Sequence, residues 1–190
     1  MADPRDTAVP ITTVSSRIGY RSPHLQLRED EIRFSDGSPG LYSYIDKRDF
    51  ALIVPFDADG FWLVEQYRYT VRSRQWEFPR GGWPVGSAGG APLALAQAEL
   101  REEVGATATE WQHLGHQFAS YGYSSQGFDV FLATGLTHGE PHREPSEADM
   151  QHRWFHRDDL RALIADGTIA DAHTITAWAL LGVHRPELFG

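Results

Sequence analysis

The amino-acid sequence predicts an α+β fold with a mixed β-sheet, and three observations support this class. The chain has 190 residues, of which 41% are hydrophobic, the size and composition of one globular domain. Short apolar stretches separated by turn residues dominate the sequence, a pattern typical of β-strands. Only three segments have helical composition, and strands that alternate with so few helices favour the α+β class.

The N-terminal part of the sequence predicts β-hairpins. Residues 1–10 are polar and contain two prolines, so we expect a frayed N-terminus. Apolar stretches then lie on both sides of the turn sequence SDGSPG at 35–40, which is rich in turn-forming residues. We therefore predict an N-terminal β region over residues 11–48.

The main domain is predicted over residues 49–184, followed by a C-terminal tail at 185–190. A continuous apolar run at 50–56 and a second run after the DADG turn predict a hairpin of buried strands. Shorter apolar segments predict further strands at 76–78, 128–133 and 151–155. Segments rich in good helix formers predict helices at 92–104, 157–165 and 172–181.

Composition and charge exclude several classes of protein. The chain has no cysteine, so it has no disulfide framework, thiolate zinc site or cysteine nucleophile. The formal net charge of −9 argues against nucleic acid as a partner, because the phosphate backbone attracts basic surfaces. No apolar run reaches the roughly 20 residues of a membrane span, and the N-terminus lacks a signal-peptide pattern. We therefore expect a soluble, cytoplasmic protein with no membrane partner.

Three glutamates in the first predicted helix carry the strongest chemical signal. Glu99, Glu102 and Glu103 fall on one stripe of a helix that turns about 100° per residue. Carboxylates grouped in this way repel one another and favour a hard divalent cation with oxygen ligands, especially Mg²⁺. The spacing alone leaves open a second explanation, a solvated acidic face with Arg101 close by.

The glycine-rich loop and helix around these glutamates resemble the Nudix box. Residues 77–82 read EFPRGG and residues 98–106 read AELREEVGA. In this alignment Glu99, Glu102 and Glu103 fall in register with glutamates of the box. The resemblance implies a loop–helix–loop that binds Mg²⁺ or Mn²⁺ and activates the hydrolysis of a diphosphate.

Two supporting residues of the box are missing from this chain. Ala98 replaces the box arginine, and the slot of the upstream glutamate falls on Ser87 or Gly90, depending on the end from which it is counted. Losing both members of a charge pair leaves neither partner unpaired. We therefore expect metal binding to be kept, while the catalytic rate is open.

The resemblance extends over roughly residues 11–182 and points to the ADP-ribose pyrophosphatase branch of the Nudix hydrolases. The strings LVEQYRY at 63–69 and QWEFP at 75–79 carry it. It implies a Nudix-type α/β/α sandwich and a nucleoside diphosphate sugar as substrate. It also implies a homodimer in which N-terminal strands of the two copies pair.

The resemblance assigns roles to individual residues. It implies that the divalent ion is held by carboxylates and one backbone carbonyl, namely Glu99, Glu102, Glu103 and the carbonyl of Arg80. It implies that the substrate is bound by two arginines and the glycine pair of the loop, namely Arg68, Arg28, Gly81 and Gly82.

The resemblance implies that the catalytic group that activates the water lies in the acidic loop before the strand at 151–155. Glu144, Glu147 and Asp149 compete for this role, and Glu147 is favoured because of its place just before the strand. Glu102 is expected to assist by binding a further ion or a metal-bound water.

Two functions follow from these assignments. The first is Mg²⁺-dependent hydrolysis of ADP-ribose or a related nucleoside diphosphate sugar into two monophosphates. The alternative is a Nudix-fold binding or sensor module with little or no turnover, which the missing box pair motivates. A DNA- or RNA-decapping Nudix protein is disfavoured by the net charge of −9.

Overall fold

The computed structural model describes residues 10–143 and 147–189. The chain divides into two compact units, which are described separately here. The first holds the described residues up to Arg48 together with Phe118–Gln126, and the second holds Asp49–Gln117 and the described residues from Gly127 onward. Of the predicted frayed segment, only Pro10 lies within the described residues.

The first unit is built on a three-stranded antiparallel sheet. Its strands β1 (Ile11–Arg21), β2 (Gln26–Phe34) and β3 (Pro39–Asp46) are arranged in sequence order. The β2–β3 turn is closed by the Asp36 carboxylate, which accepts hydrogen bonds from the Ser38 backbone N–H (2.9 Å) and hydroxyl (2.6 Å). The predicted N-terminal hairpins are therefore confirmed.

The second unit holds a mixed sheet of seven strands. These are β4 (Phe50–Asp57), β5 (Gly60–Arg68), β6 (Ser73–Glu77), β7 (Arg80–Gly82), β8 (Ala106–Phe118), β9 (Gly127–His138) and β10 (Gln151–His156). Their order is β10-β5-β4-β9-β8, while β6 pairs with β5 and β7 with β4. The β4–β9 pair is parallel, whereas β4–β5, β4–β7, β5–β6 and β5–β10 are antiparallel. The predicted mixed sheet is confirmed.

Helices cover both faces of this sheet. They are α1 (Pro92–Glu99), α2 (Arg157–Ala165) and α3 (Ala172–His184), and the short 3₁₀ turn Pro186–Phe189 follows α3. Alternate residues of a strand point to opposite faces. Ala51 and Ile53 of β4 pack with α1 in one buried cluster, while Phe61 of β5 contacts Trp178 of α3, with ring centroids 5.3 Å apart. The layers form the α/β/α sandwich that the resemblance implied.

The helix predictions are confirmed, with two differences at helix ends: α3 continues to His184 rather than ending at 181, and the end of the first helix is wound differently. The chain is helical over the predicted residues 92–104, but the last turn, Leu100–Val104, is a π turn. The apolar pattern is compatible with both an α-helix and a π-helix, so it does not predict the wider π turn. Within the described part of the chain, no helix is long and apolar enough to cross a membrane.

Gly105 ends the π turn, and its replacement is expected to destabilise the fold. Its φ of +73° lies in the left-handed region, and an added Cβ would lie 2.5 Å from the Gly139 carbonyl oxygen and 2.7 Å from the Pro141 nitrogen. We expect Gly105→Ala to lower the free energy of unfolding by about 2–4 kcal/mol, through backbone strain and overpacking together. Urea denaturation measures this loss.

Gly167 offers a matched control for this substitution. It follows α2 with a φ of +81°, and nothing lies within 4 Å of an added Cβ. Gly167→Ala therefore imposes the strain alone, and we expect a loss of about 1–2 kcal/mol. Equal losses in the two variants would show that the contact with the 139–141 backbone is unimportant.

Candidate active site

Two buried glutamates at the end of the first helix face the backbone of the glycine-rich loop. Glu103 is 1% exposed and Glu99 is 8% exposed. The backbone N–H of Arg80 donates a hydrogen bond to Glu103 Oε2 at 3.0 Å. An added Cβ on Gly81 would lie 2.3 Å from both carboxylate oxygens of Glu99. The structure therefore brings together Arg80, Gly81, Glu99 and Glu103.

The buried position of Glu103 makes its negative charge costly. Burial raises the pKa of Glu103 well above its ordinary value, and the charges of Glu99, Glu147 and Glu77 raise it further. The hydrogen bond from Arg80 opposes this rise. A carboxyl group in this situation gains strongly from a cation that balances the negative charge around it.

Glu102 is separated from this pair by the π turn. A π turn winds by less than about 100° per residue, so Glu99 and Glu103 remain inside while Glu102 is only half-buried. The Glu102 backbone carbonyl accepts a hydrogen bond from the His142 N–H at 3.1 Å. In residues 10–143 and 147–189, no three His, Asp or Glu side chains are placed to hold one ion. The three-glutamate stripe is thus a buried pair with Glu102 beside it.

Glu147 acts on the same pair. It lies half-buried in the turn before β10, and its charge is one of those that raise the pKa of Glu103. Asp149 is instead exposed and bound to Arg74, with Oδ2 and Nη1 2.7 Å apart. Glu144 lies outside the described residues. Of the competing carboxylates that the structure describes, Glu147 is the one that interacts with the buried pair.

A second buried carboxylate, Glu77, organises the strand before the loop. Its side chain is 1% exposed. It accepts hydrogen bonds from Arg68 Nε at 3.2 Å, Gln66 Nε2 at 2.9 Å and Arg80 Nη2 at 2.8 Å, and Arg68 Nη2 contacts its Oε1. Arg68, a predicted substrate-binding residue, is therefore paired with Glu77 through its Nε and Nη2. Sequence analysis assigned no role to Glu77.

Arg80 also reaches the start of α3. Its Nη2 lies 3.2 Å from Asp171 Oδ1, and its Nη1 contacts His173 Nδ1. Asp171 caps α3 by accepting a hydrogen bond from the Thr174 N–H at 2.8 Å. Burial alone would raise the pKa of Asp171, but the contact with His173, the charge of Arg80 and the bonds from Thr174 outweigh it and hold that pKa far below 3.8.

The sequence and structure comparisons identify the family. The NUDIX domain family matches residues 46–178, and the nucleoside diphosphate sugar hydrolase N-terminal domain family matches residues 11–45. The chain belongs to the Nudix family. An ADP-ribose pyrophosphatase of Mycobacterium tuberculosis is 34% identical over 174 residues, which is 90% of this chain and 82% of the relative. The predicted resemblance is confirmed, and the chain is a Nudix pyrophosphohydrolase.

The fold agrees with that of a solved relative. The crystal structure of an ADP compounds hydrolase superimposes with a TM-score of 0.80 at 20% sequence identity, covering 93% of this chain and 94% of that one. At this identity the likeness shows the fold, and it confirms the predicted Nudix-type α/β/α sandwich.

The side chain of Trp83 packs over the loop of the Nudix box, near one of the positions where the missing glutamate would lie. An added Cβ on Gly90 would lie 2.8 Å from Cζ2 of Trp83. Trp83 also packs against the buried cluster that includes Leu95 and Ala96 of α1. The indole ring of Trp83 therefore covers Gly90, one of the two positions that align with the glutamate of the box.

The remaining predicted substrate-binding residues lie in different surroundings. Arg28 is in the first unit, where its Nε donates to Asp46 Oδ2 at 2.8 Å. Gly82 follows Gly81 in β7, and an added Cβ there would meet only ordinary contacts at 3.8 Å or more. Space at Gly82 leaves the backbone open to close approach by a ligand.

Gly81→Ala is expected to damage the site without unfolding the Nudix domain. The added methyl group meets the end of the Glu99 side chain, which can rotate away at little cost to stability. Because a displacement of about 1 Å in a catalytic group can cost about 10²-fold in rate, we expect kcat to fall by about that factor. Steady-state kinetics and thermal melting measure the two effects. Gly19→Ala, where the nearest atoms are 3.8 Å away, is the control, and equal kinetics in both variants would refute this role of Gly81.

Proposed function

We propose that the protein hydrolyses the diphosphate bond of ADP-ribose or a related nucleoside diphosphate sugar, with Mg²⁺ as the natural cation and Mn²⁺ as a substitute. The observation that carries this proposal is the pair of buried carboxylates, Glu99 and Glu103, set against the loop backbone. The relative named ADP-ribose pyrophosphatase supports the substrate class.

The residues present fit a hard divalent cation. Nudix ADP-ribose pyrophosphatases generally use divalent metals, and Mg²⁺ prefers carboxylate and carbonyl oxygens while keeping several waters. Glu99, Glu103 and the backbone carbonyl of Arg80 are proposed as protein ligands, with Glu102 holding a further ion or a metal-bound water. When bound, the cation neutralises the diphosphate and lowers the pKa of a coordinated water.

Other residues of the chain are proposed to handle the substrate and the proton. Glu147 is proposed to accept the proton of the attacking water; its place in the turn before β10 and the effect of its charge on Glu103 support this assignment. Arg68 offers Nη1 to a phosphate oxygen, while Gly81 and Gly82 let the diphosphate approach the backbone closely. Arg28 is proposed to contact the nucleotide or sugar.

A homodimer is part of the same proposal. The sheet of the first unit exposes large apolar side chains, including Val14, Tyr20 and Leu41, each at least 56% exposed. An open cavity of about 450 Å³ lies on this unit, lined in part by Val14, Ile32 and Leu41. Exposed apolar patches of this kind mark interaction surfaces. Sedimentation equilibrium is expected to give twice the mass of one chain.

The test of the function is product detection by ion-exchange chromatography. A panel of nucleoside diphosphate sugars is incubated with the protein and Mg²⁺, and in parallel with EDTA. We expect ADP-ribose to yield AMP and ribose 5-phosphate only when the cation is present. Binding of an intact sugar nucleotide without products would instead support the sensor alternative.

Glu147→Gln is expected to remove the catalytic base. A general base contributes about 10²–10⁴-fold to the rate, so kcat should fall within that range and the acidic limb of its pH profile should disappear. Asp149→Asn is the matched control, because Asp149 is exposed and paired with Arg74; we expect its kcat to stay within threefold. Similar losses in both variants would contradict the assignment of Glu147.

A further inference from the structure

The guanidinium group of Arg80 is buried and held from several sides. Its side chain is 13% exposed. Nη2 lies 2.8 Å from Glu77 Oε2 and 3.2 Å from Asp171 Oδ1, and Nη1 contacts His173 Nδ1. These partners come from the strand before the loop and from the start of α3. The side chain thus connects the Nudix box to the last long helix of the described chain.

The backbone of the same residue touches the buried glutamates. The Arg80 N–H donates to Glu103 Oε2 at 3.0 Å, and the next residue, Gly81, lies against the Glu99 carboxylate. A shift of the Arg80 backbone would therefore change the position of both carboxylates. The side chain and the backbone of this one residue face two different groups of partners.

The charges of the side-chain group balance among themselves. Arg68 and Arg80 are cations, whereas Glu77 and Asp171 are anions, and each anion contacts Arg80. Buried ions are stable when they are paired and hydrogen-bonded. These four side chains therefore do not neutralise the negative charge of Glu99 and Glu103. Their mutual contacts can instead hold the loop in place.

We propose that Arg80 is a positioning residue, whose guanidinium, clamped by Glu77 and Asp171, fixes the 80–81 backbone against Glu99 and Glu103. This inference rests on the metal site of the proposed function. Partners one step removed from metal ligands typically change metal affinity by about 10–100-fold when they are removed. Nη2 contacts both carboxylates while Nη1 contacts His173, so the two-pronged fork of the guanidinium matters as well as its charge.

The test measures metal binding directly. Titration of the purified, metal-free protein with Mn²⁺, followed by the electron paramagnetic resonance signal of the free ion, gives Kd without any turnover. We expect Kd to rise about tenfold or more in Arg80→Met. Arg80→Lys keeps the charge but not the fork, so its Kd should lie between those of Arg80→Met and the wild type. Both substitutions change only the side chain, so the backbone carbonyl of residue 80, a proposed metal ligand, is kept.

A second variant keeps the test decisive if Arg80→Met fails to fold. Asp171→Asn removes one charge that clamps Arg80, while the amide oxygen can still cap α3. We expect a rise in the Kd for Mn²⁺ of at least threefold and a fall in kcat with a nearly unchanged KM. Trp154→Phe is the control for general destabilisation, because it deletes a hydrogen bond to the Asp57 carbonyl; its Kd should match that of the wild type.

The outcomes separate this inference from the proposed function. If Arg80→Met or Asp171→Asn melts earlier but binds Mn²⁺ within twofold of the wild type, Arg80 is only structural and the inference fails. The same holds if the wild type binds no Mn²⁺. If the wild type hydrolyses no sugar nucleotide while Mn²⁺ binding depends on Arg80, the inference stands and the proposed substrate class falls.

Discussion

Glu103→Gln is expected to abolish hydrolysis while leaving the fold at least as stable as in the wild type. The carboxylate is a proposed metal ligand, and electrostatic stabilisation by a metal supplies several kcal/mol to the transition state. A loss of this size corresponds to a fall in kcat of about 10³-fold or more. Ion-exchange product assays measure the rate, and Glu110→Gln, a change at an exposed glutamate of β8, is the control.

We expect the free energy of unfolding to depend on pH in the wild type through Glu103, and to lack this dependence in Glu103→Gln. The pKa of Glu103 is raised in the folded protein, so the folded state holds its proton at pH values where the unfolded chain has lost it. In EDTA the wild type therefore loses stability as the pH rises from the ordinary value of 4.5 towards the raised one. Glutamine carries no such proton. If the melting temperatures of the two proteins change in parallel as the pH rises above 4.5, the assignment is contradicted.

Glu77→Ala is expected to be strongly destabilising. The substitution leaves Arg68 and Arg80 without their shared buried carboxylate. Breaking a buried ion pair by removing one partner costs about 3–5 kcal/mol. Guanidinium chloride denaturation measures the change in the free energy of unfolding.

Glu65 provides the matched control for Glu77. Both residues pair with an arginine, and Arg68 and Arg74 are similarly exposed at 34% and 37%, but Glu65 is 19% exposed whereas Glu77 is 1% exposed. Exposed ion pairs contribute about 0–1 kcal/mol, so Glu65→Ala should cost no more than this. If the two variants lose the same stability, burial of the Glu77 network has no energetic significance.

Much of this fold is predictable from the sequence because its elements have regular local patterns. Hydrophobic runs identify β4 and β5, and the helix formers of 92–104 identify the helix that carries the glutamates. Helix geometry then places Glu99 and Glu103 near one another. These features depend on residues close together in the chain, which is where sequence patterns are informative.

The parts that sequence analysis did not predict depend on distant contacts. Arg80 and His173 are 93 positions apart, and no local pattern relates them. The sequence does not predict the burial of Glu77 either. The alternation of polar and apolar residues in a strand shows which residues share a face, but not which charged side chain has a buried partner. The π turn at Leu100–Val104 depends on a change of hydrogen-bond partners that the local sequence pattern does not reveal.

The clamp between the loop and α3 has a consequence for the order of folding. The parallel β4–β9 pair already requires contacts such as that between Asp49 and Gly127, 78 residues apart, and such long-range pairing forms slowly. Asp171 and His173 follow the ten strands of the described residues, so during synthesis they leave the ribosome after these strands. We expect the loop to be fixed against the glutamates only when α3 docks, so that a nascent chain acquires the proposed metal affinity only after α3 has been synthesised.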